Sequence, residues 1–191
     1  MMNDNSNNKN KGKKKEYVRE QPESYGEFER YEIIDHVRYE LQPAPTVTHQ
    51  KILSFLHHTL YKTCHLNGII LFAPVDVYLD EGNLLQPDLI FITNDNMHIA
   101  KEARIEGAPD LVAEILSPST SQNDKIRKKA QYERFGVKEY WVVDPVHHTV
   151  DQFLLDSGKY FLYATLGEGD VLTSTEFPCI SISMSELFGI V

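Results

Sequence analysis

Two apolar runs, LLQPDLIFIT at 84–93 and DLVAEIL at 110–116, constrain this chain more than anything else in it. Strand side chains alternate between faces, and here both faces come out apolar. Such strands must be covered on both sides, as the strands of a central sheet are. A third run, EYWVVD at 139–144, has the same character. A polar turn at 117–123 and a lysine-rich helical stretch at 124–135 separate it from the second. Strand, helix, strand in that order predicts a parallel βαβ unit. Each of the first two runs also carries a carboxylate. Asp88 is expected to share a face with Leu84, Ile90 and Ile92, and Glu114 with Val112 and Leu116. Stripping an unpaired carboxylate of water costs several kcal/mol, comparable with much of a domain's net stability.

The other elements fit around that unit. Residues 30–35 and 37–43 read as two strands about a tight turn at His36, ended by Pro43 and Pro45. Val47, Ile52, Phe55, Leu56, Thr59 and Leu60 recur at three-to-four spacing. That pattern predicts an amphipathic helix over 46–65, with Asn67-Gly68 as its stop. GIILFAPVDVYLD adds extended chain, 94–107 is a polar connection, and Gly136 ends the helix at 124–135. Residues 149–156 and 159–166 predict a hairpin across Ser157-Gly158, and a short helix is expected near 183–187. The expected class is α/β (α+β), a central mixed sheet flanked by helices. Residues 1–24 read as a polar, basic, disordered tail, which leaves 25–191 as one domain.

Charge narrows the function. The net charge is −9, yet residues 1–20 hold six Lys/Arg against three Asp/Glu, so the remainder carries −12. An acidic body excludes a protein that coats nucleic acid by bulk electrostatics. Nucleic-acid binding would need a local basic patch, the tail or bound divalent cations. No run of about eighteen apolar residues predicts a membrane span, and the N-terminus lacks the apolar centre of a secretory signal. Cys64 and Cys179 lack metal-ligand spacing, and the expectation is two free thiols in a reducing cytoplasm.

Asp88 and Glu114 need compensation. A shared divalent metal would satisfy both, and oxygen-only donors select Mg²⁺ or Mn²⁺. Such an ion polarises a phosphoryl oxygen and activates a water. The structural alternative has Asp88 at a bend after Pro87 and Glu114 paired with a nearby base. Ser121 and Asp124 fit a helix-capping pattern, which leaves Lys125, Arg127, Lys128, Lys129 and Arg134 as positive charge near Glu114. At about 100° per residue, Asp124, Lys128, Tyr132 and Phe135 share one stripe, while Ile126 and Ala130 lie opposite. If the first stripe packs inward, Lys128 approaches Glu114; otherwise it is a solvated lysine. Spacing leaves both open.

At this point the chain resembles a known family. QPDL, GAPDLVAEILSPST and D-x-x-x-K-x-x-x-Y-x-x-x-G-V-x-E-Y-W-x-V-D-P succeed one another as in the Uma-type restriction endonucleases of the PD-(D/E)XK superfamily. YEIIDHVRYELQPAPTVTHQKI is similar too, so the resemblance covers 28–145 closely. It implies a restriction-endonuclease-like core and Mg²⁺- or Mn²⁺-dependent hydrolysis of DNA phosphodiester bonds. It implies Asp88 and Glu114 as metal ligands. The superfamily's lysine usually stands two residues past the second acid, where this chain has Leu116. Here the resemblance implies Lys128, from the following helix, as the group that helps deprotonate water or stabilises the transition state. His49 matches a recurrent family histidine that would orient water or phosphate; a structural helix-start histidine is the alternative. Glu32 and Glu40 are further candidates for an acid behind the ligands, and His36 stands where the family often has glycine. A homodimer is compatible with this reading.

Other chemistries lack their motifs. There is no GxxxxGK[ST], GxGxxG, HExxH or GxSxG. The pairs His57-His58 and His147-His148 would point apart, and Tyr140 and Trp141 read as core. Three functions remain: a cytoplasmic metal-dependent DNA endonuclease, a catalytically silent module of the same fold that binds nucleic acid or a protein, and phosphodiester chemistry on RNA or a small nucleotide.

Overall fold

The computed structural model describes residues 30–41, 45–117 and 122–190, the side chains of 122–125 excepted. The basic tail expected at 1–24, Pro43 and the Ser121–Asp124 cap lie outside the described residues. The chain runs β1 (Tyr31–Ile34), β2 (Val37–Glu40), α1 (Val47–Cys64), β3 (Gly68–Phe72), β4 (Val77–Asp80), β5 (Asn83–Leu85) and β6 (Leu89–Thr93). After a 3₁₀ turn at Asn94–Ile99 come β7 (Ile105–Glu106), β8 (Leu111–Ile115), α2 (Gln122–Phe135) and β9 (Glu139–Asp144). β10 (Thr149–Asp156), β11 (Lys159–Leu166), β12 (Val171–Thr173), β13 (Ser181–Ser183) and α3 (Met184–Phe188) complete it.

Six strands form the central mixed sheet in the order β11-β10-β9-β8-β6-β3. β8 and β9 run parallel with α2 between them, as the βαβ pattern predicts, and the other neighbours are antiparallel. A second sheet, β2-β1-β5-β4-β7, was not foreseen. It arises because LLQPDLIFIT does not form one strand. Pro87 has no N–H to give a ladder, so the run breaks at Gln86-Pro87-Asp88. β5 joins the second sheet and β6 the first. Leu84 therefore does not share Asp88's face, contrary to expectation, whereas Ile90 and Ile92 do.

The central sheet is covered on both faces. Leu89, Phe91, Leu111, Ala113, Trp141 and Val143 pack against Ile52, Leu53, Leu56 and Leu60 of α1 and Leu187 of α3. Ile90, Ile92, Val112 and Tyr140 pack against Tyr132 of α2 and against Ile34, Val77, Leu85 and Ile105 of the second sheet. Thr46 caps α1 by accepting from the His49 N–H at 3.2 Å. The expected glycine stop is not what ends α1: His65 is its C-cap in right-handed geometry, and Gly68 opens β3. A Cβ at Gly68 would collide with the carbonyl oxygen of Ile92, so close strand approach accounts for glycine there. Ser157 and Gly158 both have positive φ, 50° and 79°, as the tight hairpin requires. Among the described residues no helix is long and apolar enough to cross a membrane.

Cys64 and Cys179 form a disulfide, which corrects the expectation of free thiols. Folding brings their Cα atoms to 5.3 Å although 115 residues separate them. No local spacing rule reaches so far, and the thiol argument for a reducing compartment falls with the pairing. Closing a loop of this size restricts the unfolded chain. Replacing both cysteines by alanine should lower the unfolding free energy by about 2–5 kcal/mol in urea titrations.

A buried acid gives the fold a pH dependence. Glu139 accepts from Trp141 Nε1 at 2.6 Å, Gln152 Nε2 at 2.7 Å and Ser174 Oγ at 2.5 Å. Burial raises its pKa above 4.5, and these donors offset only part of that. The folded state thus binds the proton more tightly than the unfolded state. Its contribution to stability is full below pH 4.5 and is lost as pH rises through the folded-state value. Glu139→Gln should therefore gain stability relative to wild type between pH 4 and pH 7, read from urea midpoints at the two pH values.

Candidate functional site

The break at Pro87 sets Asp88 at the mouth of β6. The β6–β8 register pairs Leu89 with Ala113, so one step further Asp88 stands opposite Glu114 on the same face. Asp88 Oδ2 accepts the Ile115 N–H at 2.7 Å, and its Oδ1 lies 3.1 Å from His49 Nε2. The two acids stand side by side, Asp88 just before β6 and Glu114 near the end of β8. Beyond them, α2 resolves the ambiguity that spacing left. Tyr132 is fully buried and Ile126 is 67% exposed, so the Lys128–Tyr132 stripe faces inward. One turn apart, both residues reach Glu114. Lys128 Nζ donates to its two oxygens at 3.1 and 3.3 Å, and the Tyr132 hydroxyl to Oε1 at 2.7 Å. From the second sheet, Glu32 Oε1 accepts Lys128 Nζ at 2.7 Å.

The cluster thus gathers Glu32, His49, Asp88, Glu114, Lys128 and Tyr132. Glu40 does not join it; it is exposed and pairs with Arg38 at 2.7 Å. His49 is buried against Asp88, which favours fixing that carboxylate over meeting phosphate directly. Tyr132 was legible only as a packing residue, although its place four residues past Lys128 on one stripe is the signal that marks it. The histidine pairs stay out of the site, with His57 edge-on to Phe72 at 4.6 Å and His147 bonded to Asp144 at 2.9 Å.

Three carboxylates face one ammonium, so the cluster carries two formal negative charges in excess. The side chains of Asp88, Glu114 and Lys128 are 17%, 12% and 13% exposed, shielded but reachable from water. Burial drives the Glu114 carboxyl up; Lys128 and the Tyr132 hydroxyl oppose this, Asp88 and Glu32 reinforce it, and the result is about 7. Burial alone would lower the Lys128 pKa, but Glu114 and Glu32 outweigh it and hold the ammonium charged. Among the described residues no three His, Cys, Asp or Glu side chains form a metal cluster. Asp88 and Glu114 are the pair that could meet a hard dication, which binds through one or two carboxylates and keeps its waters.

The same arrangement makes Lys128 structural. Its removal leaves Glu32 and Glu114 buried without a counter-charge, a change that costs about 3–5 kcal/mol. Lys128→Met should show that loss by urea denaturation. Tyr132→Phe, which deletes one hydrogen bond to a carboxylate, should lose only about 1–3 kcal/mol.

A crystal structure of a putative nuclease belonging to DUF820 from Anabaena variabilis ATCC 29413 superposes with a TM-score of 0.70 at 18% identity. The match covers 83% of this chain and 89% of that one, so the fold is shared. A search of curated proteins finds no match. The family model Uma2, described as "Putative restriction endonuclease", matches residues 13–185, and the chain belongs to that family.

Proposed function

We propose that this protein is a Mg²⁺- or Mn²⁺-dependent endonuclease that hydrolyses DNA phosphodiester bonds. The observation that carries the reading is the convergence of Asp88, Glu114 and Lys128 at the adjoining ends of two neighbouring strands. Asp88 and Glu114 would hold the cation, which supplies positive charge for the phosphoryl oxygen and acidifies the attacking water. The chain's own groups account for the remainder. The Ile115 N–H and His49 fix Asp88, while Tyr132 and Lys128 fix Glu114, so little reorganisation is needed when substrate arrives. Lys128 has its pKa pushed up by the surrounding acids. A permanently charged ammonium suits stabilisation of charge developing on phosphate better than removal of a proton from water. On α2, Arg127 and Lys129 lie over the rings of Tyr39 and Phe153 at 4.9 and 3.7 Å. They add positive charge on α2, to either side of Lys128, where an acidic body needs it to approach DNA.

Plasmid and branched DNA incubated with Mg²⁺ or Mn²⁺ test the proposal. The wild-type protein should cleave, and Asp88→Asn and Glu114→Gln should each lower the rate by about 100-fold or more, since even groups behind metal ligands are worth 10–100-fold. Calorimetric Mn²⁺ binding should disappear with Asp88→Asn. Equal behaviour of wild type and both variants would instead favour a silent binding module.

A further inference from the structure

We infer that Glu32 is a positioning residue of this site that acts through Lys128, a role that rests on the nuclease reading above. Glu32 belongs to β1 of the second sheet and is only 4% exposed. One of its oxygens, Oε1, takes two donors: Lys128 Nζ at 2.7 Å and the Gln86 N–H at 2.8 Å. Gln86 is two residues before Asp88 and is itself anchored, its Nε2 donating to Asp76 Oδ1 at 2.8 Å. A single oxygen therefore ties the lysine-bearing helix to the bend that presents Asp88.

The distances say what this does to the ammonium. Lys128 Nζ lies closer to Glu32 than to either oxygen of Glu114, which it meets at 3.1 and 3.3 Å. With Glu114 as its only acid, the flexible lysine would settle onto that carboxylate and compete with a cation for its oxygens. Glu32 takes the shortest contact to the ammonium, so the lysine is shared between two acids instead of resting on Glu114 alone. A cation then has only the longer lysine contacts to displace at Glu114, and the positive charge remains beside the site. Groups that orient ligands in this way tune affinity and rate without touching metal or substrate.

The test is Mn²⁺ titrated calorimetrically into the full chain as wild type, Glu32→Gln, Lys128→Gln and the double variant. Glutamine at 32 keeps an acceptor for the Gln86 N–H, so the bend is retained. Glu32→Gln alone should weaken Mn²⁺ binding by about 10–100-fold, but by less than about threefold in the Lys128→Gln background, because its effect travels through the lysine. Plasmid cleavage by Glu32→Gln should show kcat reduced with KM for DNA unchanged. Glu32→Asp, which keeps the charge and shortens the reach, should lower kcat as well and serves if glutamine disturbs folding. Equal losses in both lysine backgrounds would mean direct attraction between Glu32 and the cation and would overturn the role, as would wild-type kcat in Glu32→Asp. A wild-type protein that binds no Mn²⁺ and cleaves nothing removes the nuclease reading itself, and this role with it.

Discussion

The shared ammonium of Lys128 is the interaction on which the rest of the structure depends. Glu32 and Glu114 come from different sheets, and each is largely withdrawn from water. Bringing two such carboxylates together without a cation would oppose folding by several kcal/mol. The lysine that reconciles them sits on α2, so the packing of that helix and the charge balance of the site are one problem. Two hairpins solve it by gripping α2. Glu133 bonds Lys159 Nζ at 2.8 Å and the Tyr160 N–H at 2.7 Å, while Gln131 and Arg134 hold Asp35 at 3.0 and 3.2 Å. The grip sets the register of the helix, and the register sets where the ammonium lies.

Pro87 does the complementary work on the strand side. An unbroken strand through 84–93 would carry Asp88 in mid-ladder, flanked by neighbours on both sides. The missing N–H of Pro87 parts the two sheets there, and Asp88 falls at the seam between them. At a seam, a carboxylate can be bonded from inside by Ile115 N–H and His49 and still be reached from outside. The two acids thus differ in how they are tolerated. Asp88 is stabilised by its position at a strand end, whereas Glu114 relies on partners brought by the helix.

Much of this was legible in the chain itself. Runs apolar on both faces marked the central strands, and the strand–helix–strand order marked the parallel pair β8 and β9. Face alternation assigned each acid a face within its own run, because that rule acts between adjacent residues, but that the two stand opposite each other depends on the β6–β8 register. What stayed hidden was set over long distances. The disulfide joins residues 115 apart, and the second sheet depends on which partner β5 finds once Pro87 has ended the run. The inward face of α2 could not be chosen either. Lys128 looks like a poor residue to bury until Glu32 and Glu114 are seen waiting for it, and that information lies 96 and 14 residues away.

The place of the lysine has a physical consequence. At position 116, two residues beyond Glu114, a lysine would share a strand with its acid and their relation would be fixed by local geometry. Here Leu116 stands at that position, its N–H bonded to Val143 O at 2.9 Å. The ammonium is delivered instead from a separate helix on a long, flexible stem. Such a stem does not aim itself, since side-chain entropy favours many rotamers until opposing acids select one. Moving the lysine onto α2 therefore transfers its aiming from the strand to the surrounding carboxylates. A helix-borne lysine of this kind needs an acid behind it as well as an acid before it, and the first hairpin supplies that acid.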